Sequence, residues 1–217
     1  MNRELKDIHA LRQNYTRAEL TEQDAGDNPM QLFGRWFTHA QEAQILEPNA
    51  MILSTVSADL RSHARTVLLK ELTETGFVFY SNYDSAKAMD IEHSPYVSIT
   101  FLWKELERQV RIEGKAEKIS AARTEKYFQS RPRGSQLGAW ASPQSDIIAD
   151  RSILQENLKT LKEKYTEGTT IPVPPHWGGY EITPDFMEFW QGRESRLHDR
   201  LAYTATSGNW TVVRLAP

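Results

Sequence analysis

Near the C-terminus the chain reads EFWQGRESRLHDR, residues 188–200, setting Arg193, Arg196, His198 and Arg200 close together directly after Phe189 and Trp190. Like charges this close repel unless an anion offsets them, and guanidinium forks suit phosphate or stack on flat rings. If residues 196–203 are extended, Arg196, His198 and Arg200 share one face, with Leu197, Asp199 and Leu201 on the other, toward the core. If they are helical, Arg193, Arg196 and Arg200 share a face instead, and in the extended reading Arg193 is a bystander. A solvated edge strand pairing these cations with Glu194 and Asp199 is the plainer alternative.

A second group lies in YFQSRPRGSQLGAW, residues 127–140. Tyr127, Arg131, Arg133 and Ser135 bring a phenol, guanidiniums and a hydroxyl to a helix end broken by Pro132 and Gly134, equipment suited to a phosphate and equally to capping. In ARTVLLKE, Arg65 and Lys70 flank residues expected to be buried, and Lys87 follows the FYSNYDSA turn. Alone, each lysine reads as a side chain reaching for solvent along an apolar stem. Gln109 and Trp190, in expected strands, read singly as core or interface residues.

With 29 acidic and 26 basic residues the formal net charge is −3, so no bulk polycation exists to hold nucleic acid and any anion site must be local. The absence of cysteine excludes disulfides, thiolate catalysis and cysteine-ligated metals. No GxGxxG, GK[ST], HExxH or GxSxG occurs, and the six histidines lack metal-ligand spacing. Phosphate-suited clusters without a nucleophile or metal point to a bound organic cofactor that carries the chemistry. The opening residues have no signal-type apolar stretch and no run approaches the ~18 apolar residues of a membrane span, so a cytoplasmic protein with no membrane contact is expected.

The elements that must position these residues follow from their patterns. The first twenty or so residues read as a short polar helix through Leu5, Ile8, Leu11 and Tyr15. Asn28 and Pro29 start a helix running to about Ile45. AMILSTVS, ARTVLLKEL, GFVFYSN, YVSITFLW and RQVRIEGKAEKI read as strands, with a short helix over 86–92. Helices follow over SAARTEKYFQSRP, stopped by Pro132, and from a Ser145 cap to Tyr165. WGGYEI, FMEFWQ, RLAYTA and NWTVVRL close the chain as strands, the last two joined by an SGN turn. The expected class is α+β, mainly β: an antiparallel Greek-key-like barrel with peripheral helices.

RTVLLK, SRPRGSQLGAW, QS at 144–145 and EFWQGRESRLHDR together closely resemble the pyridoxine 5'-phosphate oxidase family, from about Leu11 to the final RLAP. The resemblance implies an FMN-binding split β-barrel working as a homodimer, with FMN at the subunit interface. Residues 1–20 would be a mobile segment closing over the site, and 21–217 a single domain including the C-terminal dimerisation region. It implies oxidation of pyridoxine 5'-phosphate or pyridoxamine 5'-phosphate to pyridoxal 5'-phosphate, with O2 as acceptor and H2O2 as product. Arg65, Thr66, Val67, Leu68, Leu69 and Lys70 would line FMN, with Arg65 and Lys87 on its phosphate, Tyr80 and Ser81 nearby and Gln109 near the rings. Gln144 and Ser145 would reach FMN from the partner chain, as would Trp190 and Arg200. Lys70, Tyr127, Arg131 and Ser135 would hold the substrate phosphate. Arg196 and His198, the catalytic pair, would cover the substrate ring, under a segment carrying Arg12 and Tyr15. The pattern departs at Ala86, where many members have Arg, removing one cationic contact to FMN. Rival readings are another split-barrel flavoprotein oxidoreductase, or a non-catalytic FMN or pyridoxal phosphate binding protein.

Overall fold

The computed structural model describes residues 15–217, so Arg12 and most of the expected N-terminal helix lie outside the described residues. Tyr15–Leu20 are not helical. The described residues divide into two compact units, one from residues 15–48, 101–111 and 186–217, the other from 49–100 and 112–185.

The first unit begins with a short helix α1 (Glu22–Ala25) and the expected helix α2 (Pro29–Glu42). Asn28 Oδ1 accepts from the Met30 and Gln31 amides at 2.9 and 3.3 Å, satisfying two of the first-turn donors, and Pro29 needs none. The apolar spacing delivers Leu32, Phe33, Trp36 and Ala40 to one buried face. Phe33 meets Phe101 at 5.0 Å, and Trp36 stands edge-on to Phe189 at 5.3 Å. Strands β8 (Asp199–Thr206) and β9 (Asn209–Arg214) form the expected hairpin. Its turn residues Ser207 and Gly208 both have positive φ, as a tight two-residue hairpin loop requires.

The strand order of the sheet is β2-β1-β5-β6-β7-β4-β3, with β1 (Ala50–Val56), β2 (Ser62–Leu68), β3 (Glu71–Leu72), β4 (Phe77–Asn82), β5 (Tyr96–Trp103), β6 (Arg108–Lys118) and β7 (Trp177–Gln191). The registered pairs are antiparallel. WGGYEI and FMEFWQ are one continuous strand, β7, not two. A Cβ at Gly114 would lie 2.1 Å from the Thr183 carbonyl oxygen, so this glycine lets the backbones approach closely there. Leu53, Phe77, Phe79, Ile99, Ile112 and Ile182 are fully buried.

Helix α3 (Ala86–His93) follows β4, and α4 (Ala121–Ser130) starts at a Ser120 side-chain cap. Two helix expectations change. Pro132 stops α4 but also opens a further helix, α5 (Arg133–Ala141), because proline's fixed φ suits a helix start. Ser145 is no cap: its φ is 78°, and α6 (Ser152–Lys164) begins later, where Asp150 Oδ1 accepts from the Ser152 amide at 2.6 Å. Among the described residues no helix is long and apolar enough to cross a membrane.

Candidate active site

The second unit holds a cavity of about 520 Å³. Arg65, Thr66, Val67 and Leu68 of β2 line it with Lys70, Tyr80, Ser81 and the first residues of α3, Ala86 and Lys87. Tyr127, Arg131, Gln144, Ser145 and Trp177 complete the lining, which carries four cations and no carboxylate. Leu69, just past the end of β2, is buried in the core and does not line the cavity.

Lys87 is only 7% exposed. Its ammonium donates to Ser81 Oγ at 3.0 Å and Ser85 Oγ at 3.1 Å, hydroxyls that solvate it without neutralising it. Burial, with the nearby charge of Arg65 adding to it, pulls its pKa down to about 8. Arg65 Nη1 donates to Thr55 Oγ1 at 2.7 Å and to the Leu53 carbonyl at 3.3 Å, and Nη2 lies 3.7 Å from Asp90 Oδ2. Two of its five N–H groups are thus engaged from behind. Arg131 lies over the Trp177 ring at 4.6 Å, and its buried Nη1 has no hydrogen-bond partner among the described residues.

Tyr80 and Tyr127 stack at 3.9 Å, and Tyr80 stacks on Trp177 at 5.3 Å. Burial, then the charge of Glu71, pushes the Tyr80 hydroxyl up to about 12, so it stays protonated near neutrality. Arg131 is placed by buried Gln136, whose Nε2 donates to the carbonyls of Phe128, Gln129 and Arg131 at 3.1, 3.3 and 3.1 Å, satisfying the end of α4. Gln144 Oε1 accepts from Ser81 Oγ at 3.3 Å and the Asn82 amide at 3.2 Å, so Gln144 and Ser145 line the cavity of their own chain. Trp177 was missed by the sequence reading, since nothing local signals that a strand's first residue will sit under Arg131. Ser135 is exposed in the first turn of α5, outside the cavity lining.

A buried ammonium without a carboxylate, an unpartnered buried guanidinium nitrogen and an acid-free wall fit phosphate oxygens. The stacked rings and the apolar β2 residues beside them suit a flat heterocycle. The residues present therefore fit FMN. Ala86 lines the cavity without adding charge, as its departure from the family pattern implied.

The first unit gathers the C-terminal motif. His198 lies 4.6 Å from Trp190, and Tyr15 stands edge-on to both rings at 5.8 Å. The Arg193 amide donates to His198 Nδ1 at 3.1 Å, so a neutral ring carries its proton on Nε2. Burial, then the charge of Arg196, lowers the His198 pKa. Arg200 Nε donates to Glu188 Oε1 at 2.8 Å, and Arg200 pairs across the strands with Trp190. Gln109 is half-buried on β6.

Period-two alternation starts at Asp199, not at Arg196. Glu194–Arg196 form a 3-10 turn closed by Leu197 N donating to the Glu194 carbonyl, with Ser195 and Arg196 at φ 55° and 62°. Leu197 is consequently 70% exposed rather than in the core, whereas Leu201, inside the strand, is fully buried. Arg193 is no bystander: it pairs with Glu19 at 2.8 Å and Asp199 at 3.5 Å.

Residues 37–165 match the pyridoxamine 5'-phosphate oxidase family model, and 177–217 match the pyridoxine 5'-phosphate oxidase C-terminal dimerisation region. A pyridoxine/pyridoxamine 5'-phosphate oxidase from Acaryochloris marina is 53% identical over 210 residues, spanning 97% of this chain and 95% of that one. A protein of the same name from Salinibacter ruber is 51% identical over 209 residues, spanning 95% and 97%. The crystal structure of PhzG from Burkholderia lata 383, in complex with tetrahydrophenazine-1-carboxylic acid, superposes with TM-score 0.86 at 29% identity, over 92% of this chain and 98% of that one. A pyridoxamine 5'-phosphate oxidase-related, FMN binding protein from Nostoc punctiforme shares the fold at TM-score 0.71 and 17% identity, over 88% and 100%. The split-barrel, mainly β class expected from the sequence is the class of these structures. The chain belongs to the pyridoxine/pyridoxamine 5'-phosphate oxidase family.

Proposed function

We propose that the protein is a flavin-dependent oxidase that converts pyridoxine 5'-phosphate or pyridoxamine 5'-phosphate to pyridoxal 5'-phosphate, with O2 as acceptor and H2O2 as product. The observation that carries this reading is the acid-free cavity with Lys87 buried at 7% exposure and Arg131 Nη1 unpartnered. Arg65 and Lys87 hold the FMN phosphate, Ser81 and Gln144 add hydrogen bonds, and Lys70, Tyr127, Arg131 and Ser135 take the substrate phosphate. When bound, FMN supplies the capacity to accept a hydride from the substrate and pass electrons to O2.

The chain's own contribution is position and electrostatics. Arg131, half-buried against Trp177, gains more from an anion than a solvated guanidinium would. His198 presents Nε2–H as a donor that orients the substrate ring, and Arg196 acts mainly by placing the reacting carbon and stabilising charge as it develops. No protein nucleophile is required. The family's dimerisation region spans residues 177–217, and the functional unit in this reading is a cytoplasmic homodimer with FMN at its interface.

The test is turnover of pyridoxine 5'-phosphate with peroxide detection, beside FMN titration into flavin-free protein. Arg196→Ala should lower turnover far more than FMN affinity. Absence of FMN binding would remove the cofactor assignment, and unchanged turnover would remove Arg196 from the site.

A further inference from the structure

Arg193 is a cation of EFWQGRESRLHDR that the proposed function leaves unused. The structure places it at the meeting of two segments of the first unit. Its amide holds His198 Nδ1 at 3.1 Å, while its guanidinium reaches Glu19 Oε1 at 2.8 Å and Asp199 Oδ2 at 3.5 Å. Glu19 belongs to the stretch Tyr15–Leu20, which lies against the Trp190–His198 turn. Tyr15 packs onto Gly192, where a Cβ would stand 2.7 Å from its ring, and stands edge-on to Trp190 and His198.

The stretch is anchored at its far end, where Leu20 is buried and its carbonyl accepts from Arg214 Nη2 at 2.9 Å. The Arg17 amide donates to Glu107 Oε2 at 3.1 Å, and the Leu20 amide to Asp199 Oδ2 at 3.1 Å. Asp199 in turn takes Arg214 Nη1 at 2.8 Å. Arg193 supplies the ion pair that joins the stretch to the His198 turn, so it couples the placement of Tyr15 to that of the imidazole. We infer that Arg193 is a positioning residue, whose ion pair with Glu19 fastens the Tyr15 segment over Trp190 and His198 while its backbone fixes the imidazole.

Glu19 is 68% exposed and Arg193 32%, so the pair is solvent-screened and its effect modest, up to about fivefold in the closed-to-open ratio. Molar salt, which shortens the screening length to about 3 Å, should weaken it. The variants are Arg193→Gln, Glu19→Gln, their combination, and the exchange Glu19→Arg with Arg193→Glu. All of them keep the amide that holds His198.

The first readout is trypsin cleavage after Arg17, followed by mass spectrometry on the FMN-loaded full chain. Each single variant should be cut up to about fivefold faster at low salt. The double variant should be no faster than either single one, and the charge exchange should return most of the protection. The second readout, resting on the proposed function, is a rise in KM for pyridoxine 5'-phosphate with kcat nearly kept. Additive effects in the double variant, or no recovery on charge exchange, would overturn the assignment. Coupled protection in a protein that does not oxidise the substrate would instead sink the functional reading and leave the fastening in place.

Discussion

Lys87 makes phosphate binding sensitive to pH in a direction opposite to its effect on folding. Its pKa in the folded protein is about 8 against an ordinary 10.5, because burial penalises the ammonium and Arg65 repels it. A phosphate monoester is already doubly charged well above its last pKa of about 6. If binding requires the ammonium, raising pH from about 7 to about 9.5 cuts the competent fraction from about 90% to about 3%, so the FMN Kd rises about 30-fold. Quenching of flavin fluorescence during titration of flavin-free protein measures this directly. Lys87→Arg keeps its charge throughout and should flatten the slope, while Lys87→Met should bind weakly at every pH. Folding runs the other way. The unfolded chain holds the extra proton between about pH 8 and 10.5, so the strain of burying Lys87 is full below pH 8 and is relieved as pH rises through that window. A wild-type Kd that stays flat, or the same slope in Lys87→Arg, would refute the reasoning.

Two further expectations concern the supports of Arg131. Gln136→Leu removes the donor shared by three carbonyls at the end of α4 and should cost roughly 1–3 kcal/mol, seen as a lowered Tm. An unchanged Tm would show that water replaces the amide there. Trp177→Leu removes the ring 4.6 Å from the Arg131 guanidinium, a contact worth about 0.5–2 kcal/mol, so KM for pyridoxine 5'-phosphate should rise about 2- to 30-fold. An unaltered KM would mean that Gln136 alone positions Arg131.

Where local rules act, the sequence reading and the structure agree. The Asn28–Pro29 helix start is satisfied by the hydrogen bonds its side-chain chemistry predicts, and the SGN hairpin has the positive φ values such a turn demands. The reading went astray where a distant segment overrides local preference. WGGYEI and FMEFWQ read as two strands, yet β7 runs through both, with Gly114 letting another backbone come close at Thr183. Pro132 both ends one helix and begins the next, and the signals for stop and start coincide on one residue.

The site divides in the same way. Tyr127 and Arg131 could be named from residue types in one short motif, because a phosphate needs guanidinium and hydroxyl donors whatever the fold, whereas Arg65, Lys70 and Lys87 took site roles only through the family resemblance. That Lys87 is buried among hydroxyls, that Trp177 underlies Arg131, and that Arg193 reaches Glu19 follow from packing between segments far apart in the chain. The sequence by itself determined which donors exist and which short elements carry them. Only the tertiary structure decided which donors lose water and which find a counter-charge, because desolvation and pairing depend on the neighbours that folding brings to each group.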